Sequence, residues 1–181
     1  GNSGRIGVYT DVVITGEGTT FTTANNVTMD ESATLEISDR AVVSMGYLAT
    51  GGKTDVTNAV LNLTAPSSSI GGLGDSTVFN VNEGGKVNAE AGLYIGHRDT
   101  KNGLVNVNKG GELKVSGGAL YVSALYPGYT VQGNGTLNVD GGTVTADNGG
   151  DHGLIVGDDW DGASGILNVT NGGSIDAGYS I

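Results

Sequence analysis

The sequence predicts an all-β fold, a right-handed parallel β-helix (β-solenoid) of roughly seven coils with about three short strands in each. Three observations favour it: 34 of the 181 residues are glycine, one apolar motif recurs along the chain, and apolar residues alternate with polar ones. Ordinary proteins contain about 7% glycine, and each Gly costs a helix about 1 kcal/mol relative to Ala. Collagen is excluded because Gly does not recur at every third residue and the chain has only two prolines.

The first motif is a triplet of an apolar residue, an Asn or Glu, and a second apolar residue, followed in most copies by a Gly-Gly pair. Clear copies begin at Thr77, Gly103, Gly135 and Gly165, and weaker copies lie at 59–64 and 33–38. Alternation with a period of two predicts half-buried strands. Stacked copies would then form two interior columns. We expect the first column to contain Leu35, Leu61, Phe79, Val105, Leu137 and Leu167, and the second to contain Leu63, Val81, Val107, Val139 and Val169.

The other two strands of each unit come from the segments that follow the first motif. A middle strand follows the Gly-Gly pair, as at Val87 and Ala89, and a second motif lies at 92–96, 119–123 and 153–157. We expect each Gly-Gly pair to mark a corner, where the backbone needs a positive φ or a close approach. Successive first-column anchors are 18 to 32 residues apart. Three strands in that length favour a solenoid coil over a propeller blade, which needs about 40 residues.

The whole chain, residues 1–181, is predicted to be a single β-solenoid segment. The final residues, 178–181, begin another second motif, and residues 1–9 have the pattern of a loop and a first strand with Ile6 and Val8 facing inward. We therefore expect an excerpt of a longer repetitive chain. The alternative is that identical copies continue one another end to end, since the ends of a solenoid without caps expose edge strands.

The repeats at 165–175 and 154–158, together with the corner at 1–4, resemble those of bacterial autotransporter passenger domains and of similar repetitive secreted surface proteins. The likeness covers roughly 59–181 and the first ten residues. It implies export to the bacterial cell surface, a parallel β-helix and an adhesive or structural role. We accordingly expect a non-enzymatic extracellular rod or filament building block. The alternative is a carbohydrate-binding or polysaccharide-degrading β-helix protein.

An acidic cluster on two loops of one repeat is the candidate metal site. Ca²⁺ takes six to eight oxygen ligands, which carboxylates on adjoining turns can supply. The alternative is a solvated acidic loop that binds no ion. The cluster consists of Asp147, Asp151, Asp158, Asp159 and Asp161. Residues 71–75 also resemble the start of a calcium-binding nonapeptide, although Asp75 stands one place early for that motif.

Aromatic and amide side chains are the candidate contacts for glycans or protein partners. Trp160 lies among the aspartates, while Tyr94 and Tyr121 occupy equivalent outward places that Tyr47 extends. The alternatives are a Trp that covers the solenoid side and tyrosines that stack on one another. An outward amide ladder is also expected, with glycan binding as a second interpretation. Its members are Asn62, Asn80, Asn106, Asn138 and Asn168.

Charge and composition limit the remaining classes of function. With 8 basic and 19 acidic residues, the net charge of −11 argues against binding nucleic acid or inserting into an anionic membrane. The absence of cysteine excludes disulfides and thiol chemistry. No enzyme activity is expected, because the three arginines fall on different repeats; Asp158 and Asp161 keep glycoside hydrolysis as the alternative. No cofactor is expected unless the acidic loops bind calcium, and the expected partners are further repeats, other copies and surface glycans.

Overall fold

The computed structural model describes residues 4–66, 68–96, 101–123, 133–148, 152–157 and 164–178, which form 19 β-strands and no helix. The strands stack in three columns, which we name the first, second and third faces. Each strand pairs in parallel with the strand of the same face in the neighbouring coil. Each face holds seven strand segments, so these residues form seven coils of three strands, and the predicted all-β parallel β-helix is confirmed.

The first face is a sheet of seven strands, and alternate residues are buried in the five inner strands. Their register is continuous from each coil to the next. The strands are β2 (Val12–Thr15), β4 (Thr34–Ser38), β6 (Lys53–Val56), β9 (Ser76–Val81), β12 (Asn102–Asn108), β15 (Asn134–Asp140) and β18 (Gly165–Thr170).

The second and third faces belong to one sheet of 12 strands, because two long strands run through both faces. These are β3 (Thr20–Met29) and β5 (Val42–Thr50). The other strands of the second face are β7 (Val60–Leu63), β10 (Lys86–Ala89), β13 (Glu112–Ser116), β16 (Thr143–Asp147) and β19 (Ser174–Asp176). Those of the third face are β1 (Arg5–Val8), β8 (Ser68–Ile70), β11 (Leu93–Ile95), β14 (Leu120–Val122) and β17 (Leu154–Val156).

The Gly-Gly pairs form the corners between the first and second faces, as predicted. At 110–111 the two glycines are needed for different reasons. Gly110 has φ of 76°, a left-handed conformation that other residues adopt only with strain. A Cβ on Gly111 would lie 2.3 Å from the carbonyl oxygen of Val81 in the preceding coil. The second glycine therefore allows two coils to approach at the corner.

The hydrophobic core fills the space enclosed by the three faces. On the first face, the stacked side chains of Phe79, Val105 and Leu137 are each no more than 1% exposed. On the second face, Leu61, Val87 and Leu113 stack in the same manner. Inward aliphatic residues thus form ladders along the axis, because each residue pairs with its equivalent one coil away.

Two predicted assignments are wrong. Leu61 and Leu63 do not belong to the interior columns of the first face, because β7 pairs with β10 on the second face. Thr54 and Val56 take those places in the coil, in register with Phe79 and Val81. Residues 53–56 were missed since Thr54 interrupts the apolar pattern, whereas 59–64 carry the same triplet as the true copies.

The second error concerns the first strand. Ile6 and Val8 face inward as expected, but β1 pairs with Val27 and Met29 of β3 and so lies on the third face. It is equivalent to the second motif and not to the first. The inward alternation is the same on all three faces, so only the strand pairing identifies the face.

Candidate functional site

A ladder of asparagine side chains runs along the outside of the first face. Alternation places Asn80, Asn106 and Asn138 outward because their neighbours on both sides are buried in the core, and strand pairing places Asn168 in the same column. The Nδ2 of Asn106 donates to the Oδ1 of Asn80 at 2.8 Å, and Asn138 donates in the same way to Asn106 at 2.9 Å. Asn168 donates to Asn138 at 2.8 Å. The predicted amide ladder therefore exists across four coils.

The ladder continues below Asn80 to Asp55, which accepts from the Nδ2 of Asn80 at 2.8 Å. A carboxylate can only accept, so Asp55 fixes which end of each amide faces the preceding coil. Every amide in the line must then donate in the same direction. Asp55 also forms an ion pair with Lys53, whose Nζ lies 2.8 Å from its Oδ2. The hydrogen bond and the charge of Asp55 raise the pKa of Lys53, and the charge of Glu36 adds to the effect.

Asn62 was predicted to belong to this ladder and does not. It lies on the second face with β7, where its Oδ1 accepts from the Nδ2 of Asn88 at 2.9 Å. Its own Nδ2 donates to the Oγ of Ser44 at 3.2 Å. The misplacement follows from the same misassigned motif as that of Leu61. The second face thus carries a short amide pair of its own.

A second amide row on the first face was not predicted from the sequence. The Nδ2 of Asn134 donates to the Oδ1 of Asn102 at 3.0 Å, and Asn102 donates to the carbonyl oxygen of Asp75 at 2.9 Å. Ser76 occupies the equivalent place in the coil below. A signal was present, since Asn102 and Asn134 each stand four residues before a member of the first ladder and therefore on the same side of the strand.

A trough of about 450 Å³ lies along this second row. Its polar edge consists of Ser76, Asn102 and Asn134, and its floor includes the half-buried side chains of Val78 and Leu104. Along each strand, the floor residue stands two positions after the member of the second row and two positions before the member of the first ladder. The trough therefore has a largely aliphatic floor between two lines of amides.

The amides of the trough keep unused hydrogen-bonding capacity. An Asn side chain has two N–H donors and two acceptor lone pairs. The contacts of Asn102 along the row use one donor and one lone pair. Asn134 uses one donor, and its Oδ1 has no partner in the part of the chain that the structure describes. The remaining groups are held at the coil spacing of about 4.8 Å.

One ion pair stands beside the polar edge of the trough. Lys101 contacts the carboxylate of Asp75, whose side chain is 80% exposed. These two charges compensate one another, so the edge carries fixed amide dipoles next to a neutralised pair. Asp75 is the aspartate of the nonapeptide-like segment at 71–75, and its carboxylate therefore contacts a lysine side chain.

Tyr94 and Tyr121 stack on the third face. Their ring centroids are 4.4 Å apart and their planes differ by 8°, in the register of neighbouring strands. Each ring thereby covers one face of the other, which is the self-stacking expected as the alternative to ligand stacking. Tyr47 does not extend the stack by a third ring; its hydroxyl lies 3.2 Å from the Oγ of Ser69, the residue paired with Tyr94. Contact of the tyrosine pair with a glycan or partner stays a prediction.

Most of the acidic cluster lies outside the described residues. Asp147 ends β16, and its carbonyl oxygen accepts from the backbone N–H of Gly117 at 3.2 Å. Asp151, Asp158, Asp159, Asp161 and Trp160 fall in the segments that the structure does not describe. Within the described segments, no group of three or more His, Cys, Asp or Glu is placed to hold a metal ion. The calcium site stays a prediction.

The fold and its surface define the class of this chain as a parallel β-solenoid whose coils are joined by polar side-chain ladders. Comparison of the chain with models of protein families, with curated proteins and with solved structures finds no match. The resemblance to autotransporter repeats therefore stays a prediction from the sequence. Within the described residues, no helix is long and apolar enough to cross a membrane.

Proposed function

We propose that this chain is a non-enzymatic structural or adhesive β-solenoid of the extracellular surface, a stiff rod or filament building block that presents its faces and loops for contacts. The observation that carries the proposal is the unbroken hydrogen-bonded line from Asn168 to Asp55, which joins five consecutive coils. Bending the rod toward the opposite side would lengthen these bonds and open the aliphatic ladders behind them. Seven coils at about 4.8 Å give a length of roughly 30 Å.

The two ends of the described solenoid support contacts with more solenoid. At one end an apolar cavity of about 400 Å³ opens among β1, β2 and β3, lined by residues such as Val12, Ile14 and Phe21. At the other end Val169, which continues the inward column of Val139, is 46% exposed. Apolar side chains in these positions favour stacking against further repeats of the same chain or against a second copy.

The proposed extracellular location rests on the resemblance of the repeats to autotransporter passenger domains, and it can be tested directly. An antibody raised against this chain should label intact, non-permeabilised cells of the source organism. The purified chain should generate no new reducing ends and no unsaturated products from a panel of polysaccharides. Labelling seen only after permeabilisation would contradict the surface role. Polysaccharide turnover would establish the degrading β-helix enzyme instead.

A further inference from the structure

We propose that the trough beside Asn102 and Asn134 binds a neutral, linear polysaccharide segment that lies along the solenoid axis. The inference rests on the proposed adhesive function and names its contact surface and ligand class. The trough touches three consecutive coils, through β9, β12 and β15. Equivalent groups recur along it at the coil spacing of about 4.8 Å, so the site favours an extended repeating polymer over a compact ligand.

The floor of the trough matches the apolar side of a sugar ring. Val78 and Leu104 are half-buried side chains that form a continuous aliphatic strip with the methyl group of Thr136. A pyranose ring presents C–H groups on its faces and hydroxyls at its edge. Packing the C–H face on this strip directs the ring hydroxyls toward the amide edge. Ligand sites commonly combine an apolar floor with a few convergent polar groups in this way.

The edge of the trough matches the hydroxyls. A sugar hydroxyl both donates and accepts, and each edge amide has a donor and an acceptor position left over from its row contacts. Asn102 is held from both sides, by Asn134 and by the carbonyl oxygen of Asp75. Its side chain is therefore ordered before any ligand arrives, which lowers the entropy lost on binding.

Charge selects a neutral polymer. The chain carries a net charge of −11, so an acidic polysaccharide would be repelled as it approaches. The cation nearest the edge in sequence, Lys101, is already in contact with Asp75. The groups that remain available along the trough are amides and hydroxyls, which pair with uncharged hydroxyls without an ion to desolvate.

Binding is measured by isothermal titration calorimetry of the full chain with linear hexasaccharides. The neutral probes are glucose, mannose and xylose oligomers, and the acidic probe is an oligogalacturonate. At least one neutral hexasaccharide should bind at least tenfold more tightly than the acidic one. Absence of binding by every neutral probe, or preference for the acidic probe, would overturn the inference.

The site is located with two matched double variants. Asn102→Ala with Asn134→Ala removes the amide pair of the trough, and Asn62→Ala with Asn88→Ala removes the comparable pair of the second face. The first should weaken binding at least tenfold and the second less than twofold. Equal effects would overturn the inference. Should the trough pair fail to fold, Leu104→Lys, which fills the floor, must weaken binding to the same extent.

These outcomes separate the site from the function on which it rests. Surface labelling of cells without oligosaccharide binding would contradict the site and leave the structural rod intact. Binding without surface labelling would contradict the extracellular role and leave the site intact.

Discussion

The outer column of the first face differs between its N-terminal and C-terminal coils, although the backbone is parallel and in register throughout. In the last four coils every residue of the column is Asn. In the first three coils the column contains Val13, Glu36 and Asp55. We refer to these two regions as the amide coils and the mixed coils.

Bonding in the amide coils is regular because one kind of side chain both donates and accepts. Each amide repeats the same contact at 2.8 to 2.9 Å. In the mixed coils the column holds a valine and two carboxylates, and hydrogen bonds between coils are made beside it: the Oγ1 of Thr34 donates to Asp11 at 2.7 Å, and that of Thr15 donates to Asp39 at 2.9 Å. Strand register alone therefore does not give a surface ladder. The ladder also needs a side chain that can be donor and acceptor at once.

The two regions meet at Asp55, where the amide line ends. Each amide of the line donates to the residue in the preceding coil, so the last residue of the line has to accept a hydrogen bond and does not have to donate one. Asp55 meets this need as a carboxylate, and Lys53 compensates the charge. Glu36 follows in the next coil toward the N-terminus. The mixed coils therefore hold two carboxylates in neighbouring rungs, with Lys53 on the strand that carries Asp55.

Removal of the core side chain behind this boundary should have the largest effect. Phe79 is 1% exposed and lies between Thr54 of the mixed coils and Val105 of the amide coils. We expect Phe79→Ala to lower the free energy of unfolding by about 3–5 kcal/mol, through lost burial and a cavity. Urea denaturation followed by circular dichroism measures the change.

The matched control is the outward neighbour on the same strand. Val78→Ala removes a half-buried side chain and should cost less than about 1.5 kcal/mol. If both variants lost the same stability, the stacked core would not be what joins the two regions.

A carboxylate placed inside the amide line should have the next largest effect. In Asn106→Asp the new carboxylate still accepts from Asn138 but no longer donates to the Oδ1 of Asn80. Turning the Asn80 amide around restores that contact only by giving up its bond to Asp55. One bond is lost in either arrangement, so we expect a cost of about 1–2 kcal/mol at pH 7. Denaturation midpoints at pH 7 give the value.

The reciprocal change, Asp55→Asn, tests the same logic at the end of the line. The new amide oxygen can accept from Asn80, and the only loss is the half-exposed pair with Lys53. The expected cost is below about 1 kcal/mol. A larger cost for Asp55→Asn than for Asn106→Asp would show that the direction of the line does not govern its stability.

Most of the fold could be predicted from the sequence, and the reason lies in repetition. Phe79, Val105 and Leu137 share an alternating pattern that identifies them as one interior column. The mixed coils gave a weaker signal because Thr54 occupies an aliphatic place there, where its hydroxyl contacts the sulfur of Met29 at 3.6 Å. This contact allows Thr54 to be buried in the core at a place where the repeat pattern predicts an aliphatic residue.

The surface was less predictable than the core. The ladder from Asn80 to Asn168 follows from repetition, whereas Asp55 enters the line through strand pairing that the pattern does not show. The trough depends on side chains of three coils that are about 30 residues apart in the chain. Their proximity follows from the register of β9, β12 and β15, but Asn102 and Asn134 stand just before the repeated motif and were therefore not aligned with each other.

The smallest expected effect concerns the ion pair that closes the amide line. Asp55 and Glu36 raise the pKa of Lys53, so folding favours the charged lysine. The stabilisation is fully present below the unfolded pKa of about 10.4 and is lost as the pH rises through the folded pKa. Because Lys53 is 54% exposed, the effect should not exceed about 0.5 kcal/mol.

Denaturation at intervals from pH 8 to pH 12 compares the wild type with Lys53→Met, and the difference in the free energy of unfolding should disappear at the alkaline end. Lys114→Met on the second face serves as the control and should show a smaller difference at pH 8. A difference for Lys53→Met that stays constant up to pH 12 would mean that packing of its alkyl chain, and not its charge, supports the end of the line.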